Sequence, residues 1–241
     1  MISKSQQKYV KQLEQKKYRL QEKAFVAEGP KVVGDLLRRG YEPKMLFATS
    51  QWKGPHHIEV SEEELRKLSF LQHPQQVLAV FAIPHPTAER LSAEKLYLAL
   101  DGIQDPGNLG TIIRIADWFG IDTIFCSYDT ADAWNPKVVQ ATMGSISRVN
   151  IVYTSLQQII AESSMPVYGT LLDGKNIYAQ DLSKGGIIVM GNEGNGISEP
   201  IRALISHRLF IPSYPAGSDT AESLNVAIAT AITCAEFRRR G

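Results

Sequence analysis

The chain has 241 residues, 44% of them hydrophobic and 21% charged, with a formal net charge of +1. That is enough apolar content for a buried core, and no apolar run approaches the roughly 18 residues of a membrane span. The polar start, Met1-Ile2-Ser3-Lys4-Ser5-Gln6, adds to the expectation of a soluble cytoplasmic protein with no membrane partner. Cys126 and Cys234 are far apart and read as buried free thiols. His56, His57, His73, His85 and His207 form no ligand pair at helical spacing, so neither a metal nor a redox centre is expected.

The small net charge hides an asymmetry. Residues 1–23 carry Lys4, Lys8, Lys11, Lys16, Lys17, Arg19 and Lys23 against Glu14 and Glu22, a balance of +5 that leaves −4 for the remainder. A basic arm on a mildly acidic body fits a polyanionic partner, and it fits a solubilising, frayed helix as well. The Lys/Gln/Glu-rich stretch 6–23 reads as one helix, and a second is expected over 29–39, stopped by Gly40. Residues 44–49 read as a short strand. Ser61 and Glu64 form a capping box that opens a further helix, and 77–83 is a buried strand. Residues 1–84 therefore read as a small α/β domain. Two prolines in Pro84-His85-Pro86 mark a linker, taken as 85–94.

From 95 to 241 the pattern becomes strand–helix alternation. Strands are expected at 96–100, 123–127, 148–153, 167–171, 187–190 and 208–211. Helices are expected at 109–119, 135–142, 155–163, 198–206 and 222–238. Such alternation predicts a parallel sheet covered by helices on both faces.

Three polar segments follow strand ends, where open parallel sheets bind their ligands. The first runs from Asp101 through Asp105-Pro106-Gly107-Asn108-Leu109-Gly110 to Arg114. It reads as a turn followed by a helix with Asn108 as its cap. Arg114, set among Ile112, Ile113 and Ile115, is either a surface arginine or a functional charge. The second, Gly191-Asn192-Glu193-Gly194-Asn195-Gly196-Ile197, places glycines around a lone carboxylate. It is either a plain turn or a backbone that approaches a ligand closely. The third is Ile211-Pro212 followed by Ser223-Leu224-Asn225-Val226, at the start of a small-residue helix whose free amides can hold a ligand.

In this order and separation the three segments resemble the motifs of the SpoU family, the 2′-O-ribose branch of the trefoil-knotted SPOUT methyltransferases. The resemblance covers about 95–241. A weaker one, through the basic helix and Phe25-Val26-Ala27-Glu28-Gly29-Pro30, relates residues 1–84 to the family's RNA substrate-binding domain. The third segment departs from the pattern, because Ser213–Thr220 makes a longer loop before Ser223.

The resemblance implies an α/β fold with a C-terminal knotted parallel-sheet domain and a smaller N-terminal RNA-binding domain. It implies S-adenosylmethionine as cofactor, gripped by backbone at Gly191, Ile211 and Leu224, and a homodimer built on the C-terminal domain. The implied partner is structured RNA, ribosomal RNA before transfer RNA. Asn108, Arg114, Glu193, Ser223 and Asn225 are the implied catalytic set. In the family the arginine matched by Arg114 is assigned as a base. A permanently protonated guanidinium suits phosphate binding and charge stabilisation better. Glu193 is expected to pair with an arginine. Two rival classes are an RNA-binding assembly protein with a vestigial site and a Rossmann-type nucleotide enzyme. The intact residue set argues against the first, and the late position of the glycine loop against the second.

Overall fold

The computed structural model describes residues 2–55, 57–86, 91–215 and 221–239. His56, part of the expected linker and the end of the long loop before Ser223 (216–220) lie outside the described residues. The chain divides into two compact units, one of residues 1–85 with 132–148, the other of 86–131 with 149–241. The sequence division had left 132–148 with the C-terminal domain.

The first unit opens with α1 (Lys4–Gln12), started by a capping box between Ser3 and Gln6, and α2 (Lys16–Glu22). A single helix over 6–23 was expected. The break has a physical cause: the Arg19 guanidinium donates to the carbonyls of Leu13 (2.7 Å) and Glu14 (2.6 Å), which a continuous helix would use internally. Arg19 also donates to the Asp132 carboxylate at 2.6 and 2.8 Å, and only 1% of it is exposed. It is therefore removed from the basic arm, whereas Lys4, Lys8, Lys16, Lys17 and Lys23 remain exposed. Lys11 is also engaged, donating to the Ser69 carbonyl and lying over the Phe70 ring.

After α2 comes β1 (Ala24–Glu28), to which the sequence reading had given no element, then α3 (Pro30–Arg38) and β2 (Pro43–Ala48). A short β3 (Ile58–Glu59), α4 (Glu62–Leu68) with the expected Ser61–Glu64 capping box, and β4 (Val77–Ala82) complete the N-terminal run. The sheet order is β1-β4-β2-β3, antiparallel except for β2 with β3. Val10, Leu13, Val26, Phe47, Leu68 and Leu78 form the core of this unit. The inserted segment contributes α6 (Pro136–Ala141), which packs on β1, and Trp134, whose ring lies 4.8 Å from that of Phe25.

The second unit is a parallel sheet of order β10-β8-β9-β5-β6-β7. Its strands are β5 (Leu96–Asp101), β6 (Thr123–Cys126), β7 (Asn150–Tyr153), β8 (Val167–Asn176), β9 (Gly186–Gly191) and β10 (His207–Phe210). The central strands β5 and β9 are buried along almost their whole length, as expected of a parallel sheet covered on both faces. The helices are α5 (Pro106–Trp118), α7 (Leu156–Ala161), α8 (Glu199–Arg202) and α9 (Val226–Arg239). Both α8 and the start of α9 are shorter than expected. Residues 222–225 stay non-helical because Asn225, not Glu222, caps α9: its Oδ1 accepts from the Ala227 and Ile228 amides. Cys126 and Cys234 are buried, and burial pushes the Cys234 thiol up to about 12.

Replacing Arg19 by Met strands the Asp132 carboxylate and two carbonyls. The expected cost is about 3 kcal/mol of unfolding free energy, because removing one member of a buried ion pair leaves the other uncompensated. Urea denaturation of the two proteins measures it, and an unchanged midpoint would contradict the structural role given to this arginine.

Candidate active site

All strands of the second sheet are parallel, so their carboxyl ends share one edge. Asp101 ends β5 and is in register with Gly191, which ends β9. Ile211 follows the end of β10. The three segments singled out in the sequence therefore converge on this edge.

They are tied together by side chains. The Glu193 carboxylate accepts from the backbone amides of Gln104 and Asp105, each at 3.1 Å, and from the Asn108 side-chain amide at 3.0 Å. The Asn108 Oδ1 in turn accepts from the Asn225 side-chain amide at 2.9 Å. Asn225 closes the chain by capping α9. One run of hydrogen bonds thus passes from Glu193 through Asn108 and Asn225 into the α9 N-terminus. Two supports brace it. The Asp101 carboxylate accepts from the Ser198 amide at 2.7 Å, and the Asn192 side chain bridges Gly102 O (2.6 Å) to the amides of Gly194 and Asn195.

Gly191 is required by this folding-back. A Cβ there would lie 2.3 Å from the backbone of Gly196 and Ile197, so only glycine lets the loop close on itself. The close approach is to the loop's own backbone.

The expected residues do not all join. Asn108, Glu193 and Asn225 are in direct contact. Asn108 is not the cap of α5: Asp105 is, accepting from the Asn108 amide at 2.8 Å, which frees the Asn108 side chain for the chain of bonds. Glu193 pairs with no arginine among the described residues. Its three N–H donors already satisfy it. Ser223 is exposed just before the α9 cap, and Leu224 is 50% exposed beside it. Arg114 is exposed on α5, on a different side of the helix from Asn108, and makes no hydrogen bond or ion pair with any described residue. The sequence reading missed Asp105 and Asn192 as organisers of the edge. Both had a signal, a short acceptor side chain beside Pro or Gly.

Partial burial pushes the Glu193 carboxyl upward, but hydrogen bonds from Asn108, Gln104 and Asp105 outweigh it and hold its pKa below the ordinary 4.5. The group is an anion at neutral pH.

The sequence profile of the SpoU rRNA Methylase family matches residues 95–235. The chain belongs to that family. Residues 4–79 match the MRM3-like substrate binding domain. The 23S rRNA (guanosine(2553)-2′-O)-methyltransferase RlmP of Bacillus subtilis is 32% identical over 239 residues, covering 95% of this chain and 94% of that protein. A TrmH-family protein from Porphyromonas gingivalis superposes with a TM-score of 0.88 at 41% identity, over 100% of both chains. The AdoMet-bound rRNA methyltransferase of Sinorhizobium meliloti gives a TM-score of 0.85 at 31% identity, over 100% of this chain and 96% of that one.

Glu193→Gln presents an amide to backbone N–H groups that need acceptors. It should destabilise the second unit by about 1 kcal/mol, the net worth of a hydrogen bond at a solvent-exposed group, where water takes up part of the loss. The wild-type carboxylate has a folded pKa below its unfolded value. Its contribution is therefore complete above pH 4.5 and is lost as pH falls through the lower folded value. Calorimetric melts of both proteins between pH 3 and 7 test this, since the gap between them should close at the acid end.

Proposed function

We propose that this protein transfers the methyl group of S-adenosylmethionine to a ribose 2′-hydroxyl of ribosomal RNA. The observation that carries the reading is the Glu193–Asn108–Asn225 chain of hydrogen bonds, which draws all three family segments to one edge of the sheet. The relatives' activity supplies the chemistry and the RNA class.

The residues fit that cofactor. Residues 191–197, 211–215 and 223–225 contain no lysine or arginine, and Glu193 is ionised. Such a set disfavours phosphates and suits a nucleoside that carries none. Leu224 and the partly exposed Ile211 offer apolar surface, and the backbone at Gly191, Ile211 and Leu224 would hold the polar groups. Bound there, S-adenosylmethionine supplies a methyl carbon open to in-line attack by a hydroxyl. Asn108, Glu193 and Asn225 keep the loops around it in place before substrate arrives, which is where positioning contributes to rate. Ser223, exposed beside Leu224, would orient the ribose.

Arg114 carries the charge work in this reading. A guanidinium does not give up its proton at physiological pH, so its role is to hold an RNA phosphate and stabilise the oxyanion that forms as the 2′-hydroxyl ionises. It stands apart from Asn108 on α5, and that separation has a natural resolution. Trp118 (83% exposed) on α5 and Ile228 (52% exposed) on α9, with Ile232 and Ala235, give these two packed helices an apolar outer face. A second copy of the chain covers it, and Arg114 on the same face then serves the partner's site. The C-terminal segment returns from β10 at the sheet edge to pack α9 on α5, consistent with the family's knotted threading. The exposed Lys4, Lys8, Lys16, Lys17 and Lys23 serve RNA backbone contact.

Arg114→Ala should keep cofactor affinity by titration calorimetry and lose at least roughly a hundredfold in single-turnover methylation of ribosomal RNA, the scale of one transition-state charge contact. Arg114→Lys should recover part of it. Wild-type turnover by the alanine variant removes Arg114 from the mechanism.

Ile228→Asp places a charge in the proposed apolar seam. Sedimentation should show a dimer for the wild type and a 26.7 kDa particle for the variant. A wild-type monomer at micromolar concentration contradicts the dimer.

A further inference from the structure

Tyr128 and Asp129 follow β6 at the same edge of the sheet, and neither has a part in the chemistry described above. Tyr128 is 70% exposed, and Asp129 is an exposed carboxylate with no hydrogen-bond or ion-pair partner among the described residues. Exposed side chains usually need no explanation, but the backbone under these two is unusually fixed. The Ser127 amide donates to Leu100 O at 3.0 Å, and the Gly102 amide donates to Ser127 Oγ at 2.9 Å. The Thr130 hydroxyl donates to Leu100 O at 3.0 Å, and the Ala131 amide to Ile103 O at 2.7 Å. The turn is thus bound to residues 100–103, immediately before the two amides that Glu193 holds.

Gly102 shows how close the two loops come. It has a φ of +73°, and a Cβ there would lie 3.1 Å from the Asp129 carboxylate and 3.7 Å from the Asn192 Cβ. Asp129 and Asn192 therefore flank Gly102, and Asn192 precedes Glu193. A rigid loop presents an aromatic ring and an unpaired carboxylate beside the residues that organise the methyl-transfer site.

We propose that Tyr128 and Asp129 read the base of the target nucleotide, and that this base is guanine; the proposal rests on the RNA methyltransferase reading. An exposed ring on a fixed backbone is a stacking platform for an unpaired base. A carboxylate beside an RNA site is repelled by phosphates, so its partner is a neutral face rich in donors. It accepts only, with two oxygens. Guanine alone presents two adjacent donors, N1–H and the N2 amino group, on one edge. Adenine and cytosine offer one amino group beside an acceptor, and uracil one N–H between two carbonyls. Stacking on Tyr128 with both Asp129 oxygens engaged therefore selects guanine.

The test uses full-length protein, labelled S-adenosylmethionine and ribosomal RNA extracted from a strain lacking the gene. The methylated nucleotide is mapped, then placed in four synthetic hairpins that differ only in that base. A mapped guanosine is expected, with the guanosine hairpin preferred roughly ten- to a hundredfold, the discrimination of one bidentate contact. Asp129→Asn should narrow the preference to a few-fold at unchanged cofactor affinity. Tyr128→Phe should behave as wild type, while Tyr128→Ala raises KM for RNA roughly tenfold with little change in kcat. Both positions are exposed, so thermal melts should be unchanged. A different mapped base, or full guanosine preference in Asp129→Asn, overturns the proposal while leaving the methyltransferase intact. A wild-type protein that neither binds S-adenosylmethionine nor methylates any of these RNAs overturns the methyltransferase reading itself.

Discussion

A carboxylate has only acceptor positions, so wherever it is partly withdrawn from water it gathers N–H groups around itself. Glu193 gathers three, two from the backbone that leads into α5 and one from the Asn108 side chain. Because Asn108 has an amide at one end only, committing its NH2 to Glu193 leaves its oxygen as an acceptor, and that oxygen receives Asn225. Asn225 obeys the same rule in reverse, spending its NH2 on Asn108 and its oxygen on two amides of α9. The direction of every bond follows from the charge at one end. Loops separated by 85 and 117 residues of chain are fixed relative to one another by this polarity.

Charge is also partitioned by position. Residues 191–197, 211–215 and 223–225 hold the Glu193 anion and no lysine or arginine, while Arg114 is exposed on α5 and Lys4, Lys8, Lys16 and Lys17 are exposed on α1 and α2. A site for a cofactor without phosphates and a surface for a polyanion have opposite electrostatic needs. Under the proposed function, separating them would keep the nucleic acid from competing for the cofactor's place.

Much of this was legible in the sequence, and the failures have identifiable causes. The strands of the second sheet were readable because burial on both faces demands continuous apolar runs, as in Leu96–Leu100 and Ile187–Met190. The Ser61–Glu64 box was readable because capping is local. The three polar segments were readable as a set, but the partners of their side chains were not. Glu193 was expected to meet an arginine because charge attracts charge, yet nearby amides satisfied it first. Arg19 was counted as part of a basic arm because composition does not reveal burial. Its partner carboxylate comes from 113 residues away. β1 was missed for a related reason: Ala24–Glu28 is short, and it becomes a strand through pairing with β4, itself distant in sequence.

The insertion of residues 132–148 into the first unit bears on how the protein is made. A chain leaving the ribosome exposes its first 85 residues long before Asp132 and Trp134 are synthesised. Until then Arg19 lacks its carboxylate and Phe25 lacks a ring to lie against. The leading unit therefore waits, incompletely buried, while β5, α5 and β6 of the second unit are still emerging. Vectorial synthesis and spatial order are out of step here. The interval in which a nascent chain needs protection from aggregation is set by where an internal loop falls in the gene, since the leading unit can close only once residue 148 has emerged.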